Sequence, residues 1–345
     1  MMFDYTTLAF ANGKPAAVGS IKSSPDDFKV DEILGFELTG EGEHLFLLIE
    51  KRGLNTEELV KKIASVTGYS ERDISYAGIK DRQAVTRQWL SIQCPGQEIA
   101  DANALAGEGW RVIETKRHLK KLKTGALTGN KFQLTIRDIQ GNDEIETRLQ
   151  HIKHHGIPNY FGAQRFGFDG QNLVKAKRLL IDGIKTKNRF LKGMYYSTAR
   201  SFLFNLILSE RIKQGNWNKA LPGDVMQLDG KNSIFTIDAV DDIIQERVKS
   251  FDVSPASPLW GVGKELVSDE ALIIQQQALA DFEPWCAALE THKLERSYRA
   301  LMLKPRDMSW EWQDDTLVLN FSLQAGSYAT SVMREVLGDP IINVS

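Results

Sequence analysis

Residues 131–139 constrain the fold of this chain more than any other stretch, because Phe132, Leu134 and Ile136 alternate with Lys131, Gln133, Thr135 and Arg137. A period of two sets the apolar side chains on one face and the polar ones on the other, as in a half-buried strand. An isolated strand cannot satisfy its own backbone groups, so a sheet must surround it. Phe28 and Val30 alternate in the same way over residues 28–32, and residues 44–50 form a denser apolar run that also reads as a strand. Near the other end, Leu317, Leu319 and Phe321 alternate with polar or smaller residues, although periodicity does not say which sheet they join.

Helices separate these strands. Asn55 stands at an N-cap, Glu57 and Glu58 follow in the first turn, Leu59, Ile63 and Val66 repeat at i, i+4 and i+7, and Gly68 stops the pattern. A second helix begins near Asn142, carries Ile145, Leu149 and Ile152 on one stripe, and ends at Gly156-Ile157-Pro158. This alternation over residues 20–155 points to a mixed α/β or α+β domain. From Pro158 helical spacing dominates, over residues 172–181 and again over 197–213, while Ser254-Pro255-Ala256-Ser257-Pro258 reads as a loop. A Gly326-led helix is expected to reach Leu337. With 345 residues the chain has room for two domains, the second expected over residues 155–303.

Composition narrows the class. Two cysteines, Cys94 and Cys286, with no CxxC spacing suggest neither a disulfide framework nor a cysteine metal site and fit a reduced cytoplasm. The N-terminus lacks the basic and apolar regions of a signal peptide, and no apolar run approaches the ~20 residues that span a bilayer. A net charge of -2 hides two basic runs. Residues 115–131 hold Lys116, Arg117, Lys120, Lys121, Lys123 and Lys131 without an acid, and residues 175–200 hold eight Lys/Arg against Asp182 alone. Such runs are ordinarily solvated faces; projecting from one side, they would suit phosphate. Asn159-Tyr160-Phe161-Gly162-Ala163-Gln164-Arg165-Phe166-Gly167-Phe168 adds aromatics, an Arg and glycines, which suit unpaired RNA bases or, equally, core packing at a domain junction.

The candidate chemistry lies in Gly78-Ile79-Lys80-Asp81-Arg82-Gln83-Ala84-Val85-Thr86-Arg87-Gln88. On residue types alone, Asp81 between two cations is an ordinary surface ion pair. In a cleft, the same cations would keep the carboxylate ionised as nucleophile or base. Phe132 is by pattern a core residue, Asn130 a turn residue and Phe28 a strand residue. His151, His154 and His155 fall at a helix end where cations are favoured, with no acidic ligands beside them, so no metal is expected.

That segment resembles the GxKDRxAxTxQ signature of the TruD family of pseudouridine synthases. Further pieces resemble the family in order: Asp27-Phe28-Lys29-Val30-Asp31-Glu32, Gly129-Asn130-Lys131-Phe132, the 159–167 stretch and Gly326-Ser327-Tyr328-Ala329-Thr330. The resemblance implies an α+β fold: a pseudouridine-synthase catalytic domain on a mixed, mainly antiparallel sheet, interrupted by a mostly helical α/β insertion. It assigns residues 1–154 and 304–345 to the former and 155–303 to the latter, with RNA in the cleft between them. It makes Asp81 the catalytic carboxylate, places Phe28, Asn130, Phe132 and Tyr328 around the uracil, and leaves Lys22, Lys80 and Arg82 as candidate basic partners of Asp81. The implied substrate is a tRNA uridine, position 13 in the D-arm, and the isomerisation requires neither cofactor nor metal. A monomer acting in the cytoplasm is expected. A non-catalytic tRNA-binding or chaperone protein is the alternative.

Overall fold

The structure, a computed structural model, describes residues 5–338 apart from 98 and 100, together with 341 and 342. The chain divides into two compact units, one of residues 17–142, 306–326 and 340–345, the other of residues 1–16, 143–305 and 327–339.

The first unit is a mixed sheet. Its strands are β1 (Val18–Ile21), β2 (Phe28–Leu34), β3 (His44–Arg52), β4 (Ile74–Tyr76), β5 (Val85–Gln93), β6 (Ala106–Gly107), β7 (Trp110–His118) and β8 (Leu127–Gln140), joined by Arg306–Gln313, Thr316–Gln324 and Ile341–Ile342. The main path runs Arg306–Gln313, Thr316–Gln324, β8, β2, β5, β3, β7, β6. β2 and β5 run parallel, and the other pairs along the path are antiparallel. The late strand thus joins the early sheet, with Phe321 opposite Phe132 and Leu319 opposite Leu134.

Gly129 makes that pairing possible, since a Cβ there would overlap the carbonyl oxygen of Leu323. Helix α1 (Thr56–Thr67) has the expected capping box, in which Asn55 Oδ1 accepts from Glu58 N–H and Glu58 Oε2 from Asn55 N–H. It packs Leu59, Val60 and Ile63 onto Leu45, Leu47, Ile49, Leu90 and Ile92, each buried side chain contributing about 1.5–3 kcal/mol relative to exposure. Val66, expected on that stripe, is exposed: it lies in the last turn, beyond the apolar residues it would need.

The second unit is built on helices. The helix expected from near Asn142 to Gly156 appears as α2 (Ile145–His155), followed by α3 (Gln171–Leu180) and the long α4 (Arg189–Lys213). Phe202, Leu203, Phe204, Ile207 and Leu208 of α4 share a core with Tyr160, Phe161, Phe166, Leu173 and Leu289. A four-stranded antiparallel sheet completes it, ordered Ile234–Thr236, Val225–Leu228, Val253–Leu259, Ser297–Ala300. The stretch read as a loop, Ser254 to Pro258, is therefore strand. Its two flanking strands pair with different halves of it, overlapping at Ala256, and Pro255 serves as acceptor for Leu301 N–H at 2.8 Å. Each proline is tolerated because its missing N–H is not called on there.

In this division α2 and the helix Ala329–Leu337 both belong to the helical unit. No helix among the described residues is long and apolar enough to cross a membrane.

Candidate active site

The face of the sheet that carries Phe28, Val30 and Phe132 also carries three polar residues in register with them. In β2, Glu32 follows Phe28 and Val30 at two-residue steps and lies opposite Asn130 of β8. In β3, Lys51 continues the series Leu45, Leu47, Ile49; in β5, Gln88 precedes Leu90 and Ile92. All three are buried. Uncompensated, each would cost several kcal/mol; Glu32 and Lys51 each find a partner in the loop of residues 77–84, between β4 and β5, which carries Asp81, and Gln88 finds one in Thr56 of α1.

The loop is held by four contacts. Lys80 Nζ meets the buried Glu32 Oε1 at 2.6 Å, and Glu32 Oε2 accepts from Trp89 N–H at 2.9 Å. Lys80 N–H donates to Thr56 Oγ1 at 2.9 Å, while the Thr56 hydroxyl donates to Gln88 Oε1 at 3.1 Å. Lys51 Nζ donates to the carbonyls of Asp81 and Leu54 at 2.8 and 2.7 Å. Gly125 N–H donates to Ala77 O at 2.8 Å. Burial pushes the Glu32 carboxyl up, against the opposing pull of Lys80, and burial pushes the Lys51 ammonium down to about 8.

Asp81 itself points outward. Its side chain is 64% exposed, and Oδ2 accepts from Lys22 Nζ at 2.8 Å. Lys22, only 13% exposed, sits in turn 4.2 Å from the centroid of the Phe28 ring, within cation–π range. Its backbone is left-handed, with φ 59°, a conformation that disfavours any Cβ and persists where the surroundings impose it. Phe28 meets Phe132 edge-on at 6.1 Å, and Phe132 stacks on Phe321 at 5.4 Å. Asn130 Oδ1 is buried without a hydrogen-bond partner, as is Gln88 Nε2. A buried polar atom left open is a place for a ligand group.

Of the three candidate partners, Lys22 pairs with Asp81, Lys80 with Glu32, and Arg82 with Glu58 at 3.5 Å. Phe28, Asn130 and Phe132 belong to the same unit as Asp81. Tyr328 belongs to the other, where its ring packs at 5.9 Å on Phe161, whose own ring carries the Arg299 guanidinium at 4.1 Å. The basic run of residues 116–131 falls in the sheet unit and that of residues 175–200 in the helical one. Sequence reasoning missed Glu32, Lys51, Thr56 and Phe321 as parts of the site. A signal was present for the first two: each is a charge in phase with apolar residues along a strand.

A groove of about 650 Å³ is lined by Lys29, Asp31, Glu50, Arg87, Lys131 and Asn320 together with Phe132 and Phe321. In it Glu50 accepts from Arg87 at 2.9 Å, and it also pairs with Arg111 at 2.7 Å. Neither Asp81 nor Lys22 lines this groove. Among the described residues no three His, Cys, Asp or Glu are grouped to hold a metal ion; His151 and His155 stack on each other at 4.2 Å.

The comparisons with known proteins agree with one another. The family model for tRNA pseudouridine synthase D (TruD) matches residues 6–183 and 170–336. A tRNA pseudouridine synthase D of Legionella pneumophila (strain Corby) is 47% identical over 95% of this chain and 97% of its own. That of Proteus mirabilis (strain HI4320) is 43% identical over 97% of each. A solved structure described as a tRNA pseudouridine synthase D of Methanosarcina mazei has the same fold, with TM-score 0.73 at 21% identity over 95% of each chain. With a family model and near full-length relatives both matching, this chain belongs to the tRNA pseudouridine synthase D family.

Proposed function

We propose that this chain converts a uridine of tRNA to pseudouridine, with Asp81 as its catalytic carboxylate. The observation that carries the assignment is the linked series Asp81–Lys22–Phe28–Phe132, which joins a carboxylate to an aromatic face. Family membership supplies the reaction.

A glycosidic bond within a base stack is out of reach, so the uridine must be flipped out, and its base then needs an aromatic surface and polar groups for its edge. Phe28 and Phe132 supply the surface. Asn130 Oδ1 offers an open acceptor, which suits an imide N–H. The Lys22 ammonium holds Asp81 Oδ2 at 2.8 Å beside the Phe28 ring. Asp81 then adds to C6 of the ring or bonds to C1′ as the base departs; the C1′–N1 bond breaks, the uracil turns, a C1′–C5 bond forms, the bond to Asp81 breaks to restore the carboxylate, the C5 proton leaves and N1 gains one. Nothing is oxidised or reduced, so the reaction runs without a cofactor. Uridine 13 of the D-arm is the target, Tyr328 contributes to the uracil site as in the family resemblance, and the enzyme works as a monomer in the cytoplasm. Residues 1–154 and 304–345 carry the catalytic fold in this assignment.

Asp81→Asn tests it. The variant should bind tRNA within about twofold of wild type while pseudouridine formation falls by about 10²–10⁴-fold or more, read by position-resolved mapping of pseudouridine in tRNA. Undiminished conversion would remove Asp81 from the chemistry. A wild-type protein that binds tRNA but converts no uridine would instead be a tRNA-binding or chaperone protein.

A further inference from the structure

The corner between α3 and α4 exposes what a solvated charged turn does not need to expose. Residues 181–188 do not trail from the end of α3 but fold back on it, with Ile181 N–H donating to Lys177 O at 2.8 Å and Ile184 N–H to Arg178 O at 2.9 Å. Asn188 then caps α4, its Oδ1 accepting from Leu191 N–H at 3.1 Å. On this fixed frame Phe190 is 74% exposed and Ile184 55%. Lys175, Lys177, Arg178, Lys185, Lys187 and Arg189 are exposed around them, and Lys192 lies 5.6 Å from the Tyr196 ring. Asp182 is the sole carboxylate in residues 175–192. Among the described residues, none of these seven cations is engaged in an ion pair.

Cations alone would be a solvated surface. An exposed phenyl ring set among unpaired cations is different: apolar groups held out in water mark a contact surface, and the charge around this one selects a polyanion. Nucleobases present a π-face beside a phosphate at every step, so a ring flanked by cations matches unpaired RNA, whereas a protein partner would have to be strongly acidic. We propose that the α3–α4 corner is an RNA-docking surface, in which Phe190 stacks on an unpaired base of the tRNA while Lys185, Lys187, Arg189 and Lys192 take the adjoining phosphates. The proposal rests on the tRNA substrate argued above, not on the role of Asp81.

The test is equilibrium binding of an unmodified tRNA transcript by the full chain, by fluorescence anisotropy over a series of salt concentrations. Phe190→Ala should weaken binding by about tenfold with little change in salt dependence, and Phe190→Trp should keep it, because stacking on an aromatic ring tolerates the exchange. Lys185→Glu/Lys187→Glu should weaken binding and flatten the slope of log Kd against log salt by about 1.4 to 1.8, the counterion release of two phosphate contacts. These side chains are exposed, so thermal melting should be unchanged. An affinity for Phe190→Ala within twofold of wild type overturns the proposal. So does an equal loss on a fully paired RNA duplex, or a loss confined to vesicles of anionic phospholipid, which would mark a membrane contact. Repeating the series in Asp81→Asn separates the two readings: a docking surface persists there even where no uridine is converted.

Discussion

A lysine ammonium with no exposed surface, bonded to two backbone carbonyls, is a costly arrangement for holding two loops together. Lys51 ties the carbonyl of Asp81 to that of Leu54, just before α1. It touches no substrate in this reading and acts as a positioning residue. Lys51→Met keeps the length and volume and removes the donor. If the clamp sets the Asp81 loop, kcat should fall by about 10²-fold, the cost of misplacing a reacting group by roughly 1 Å, while tRNA affinity stays within about twofold. A KM that rises with kcat unchanged would show instead that Lys51 serves binding. Thermal melting of the variant, followed separately, keeps lost folding from being counted as lost catalysis. The Glu32–Lys80 pair is a second support of the same loop, and breaking one partner of such a buried pair costs about 3–5 kcal/mol because the other charge is left uncompensated.

At the scale of elements, the site depends on how closely β8 and the strand Thr316–Gln324 approach. Gly129 sits beside Asn130, and a Cβ there would meet the Leu323 carbonyl. Gly129→Ala should therefore destabilise the chain by about 1–3 kcal/mol, measured as a lower urea midpoint at unchanged m-value, and should depress activity further by shifting Asn130. An unchanged midpoint would mean that the strands part at no cost. The helix-forming signals over residues 55–68 were legible because Asn55, Glu58 and Gly68 act locally, through a cap at each end. Strand Val253–Leu259 was illegible for the opposite reason. Two prolines argue for a loop until the pairing shows that each faces a neighbour on one side, which is a property of the partners.

For the whole molecule, stability should depend on pH through Glu335. Burial, opposed by Arg334 and the Ala11 N–H, pushes its carboxyl up to about 7. The unfolded group titrates near ~4.3. Between those values the native state holds a proton that the unfolded state has lost, so the stability from this group is complete below about pH 4.3 and is lost as pH rises toward 7. The loss is on the order of 3 to 4 kcal/mol. Glu335→Gln, which cannot titrate, should narrow the difference in Tm between pH 5 and pH 7.5 relative to wild type. Parallel pH profiles for the two proteins would count against the shift.

Much of the first unit follows from the chain itself. Alternation at Phe132, Leu134 and Ile136 dictates a strand with one apolar face, whatever surrounds it, because side chains along extended backbone point to opposite sides. The ordered motifs around Phe28, Asp81, Asn130 and Phe132 placed the candidate site within that sheet. Which cation meets Asp81 could not be read this way: Lys80 and Arg82 adjoin it in sequence, yet both turn to buried or helical carboxylates, and Lys22, 59 residues away, pairs with it. Contact between distant residues depends on register and on the path of loops, neither of which leaves a local mark. Glu32 and Lys51 show the same division. Periodicity sets them on the apolar face, and only the folded chain, by bringing Lys80 and the carbonyls of Asp81 and Leu54 against them, makes that placement tolerable.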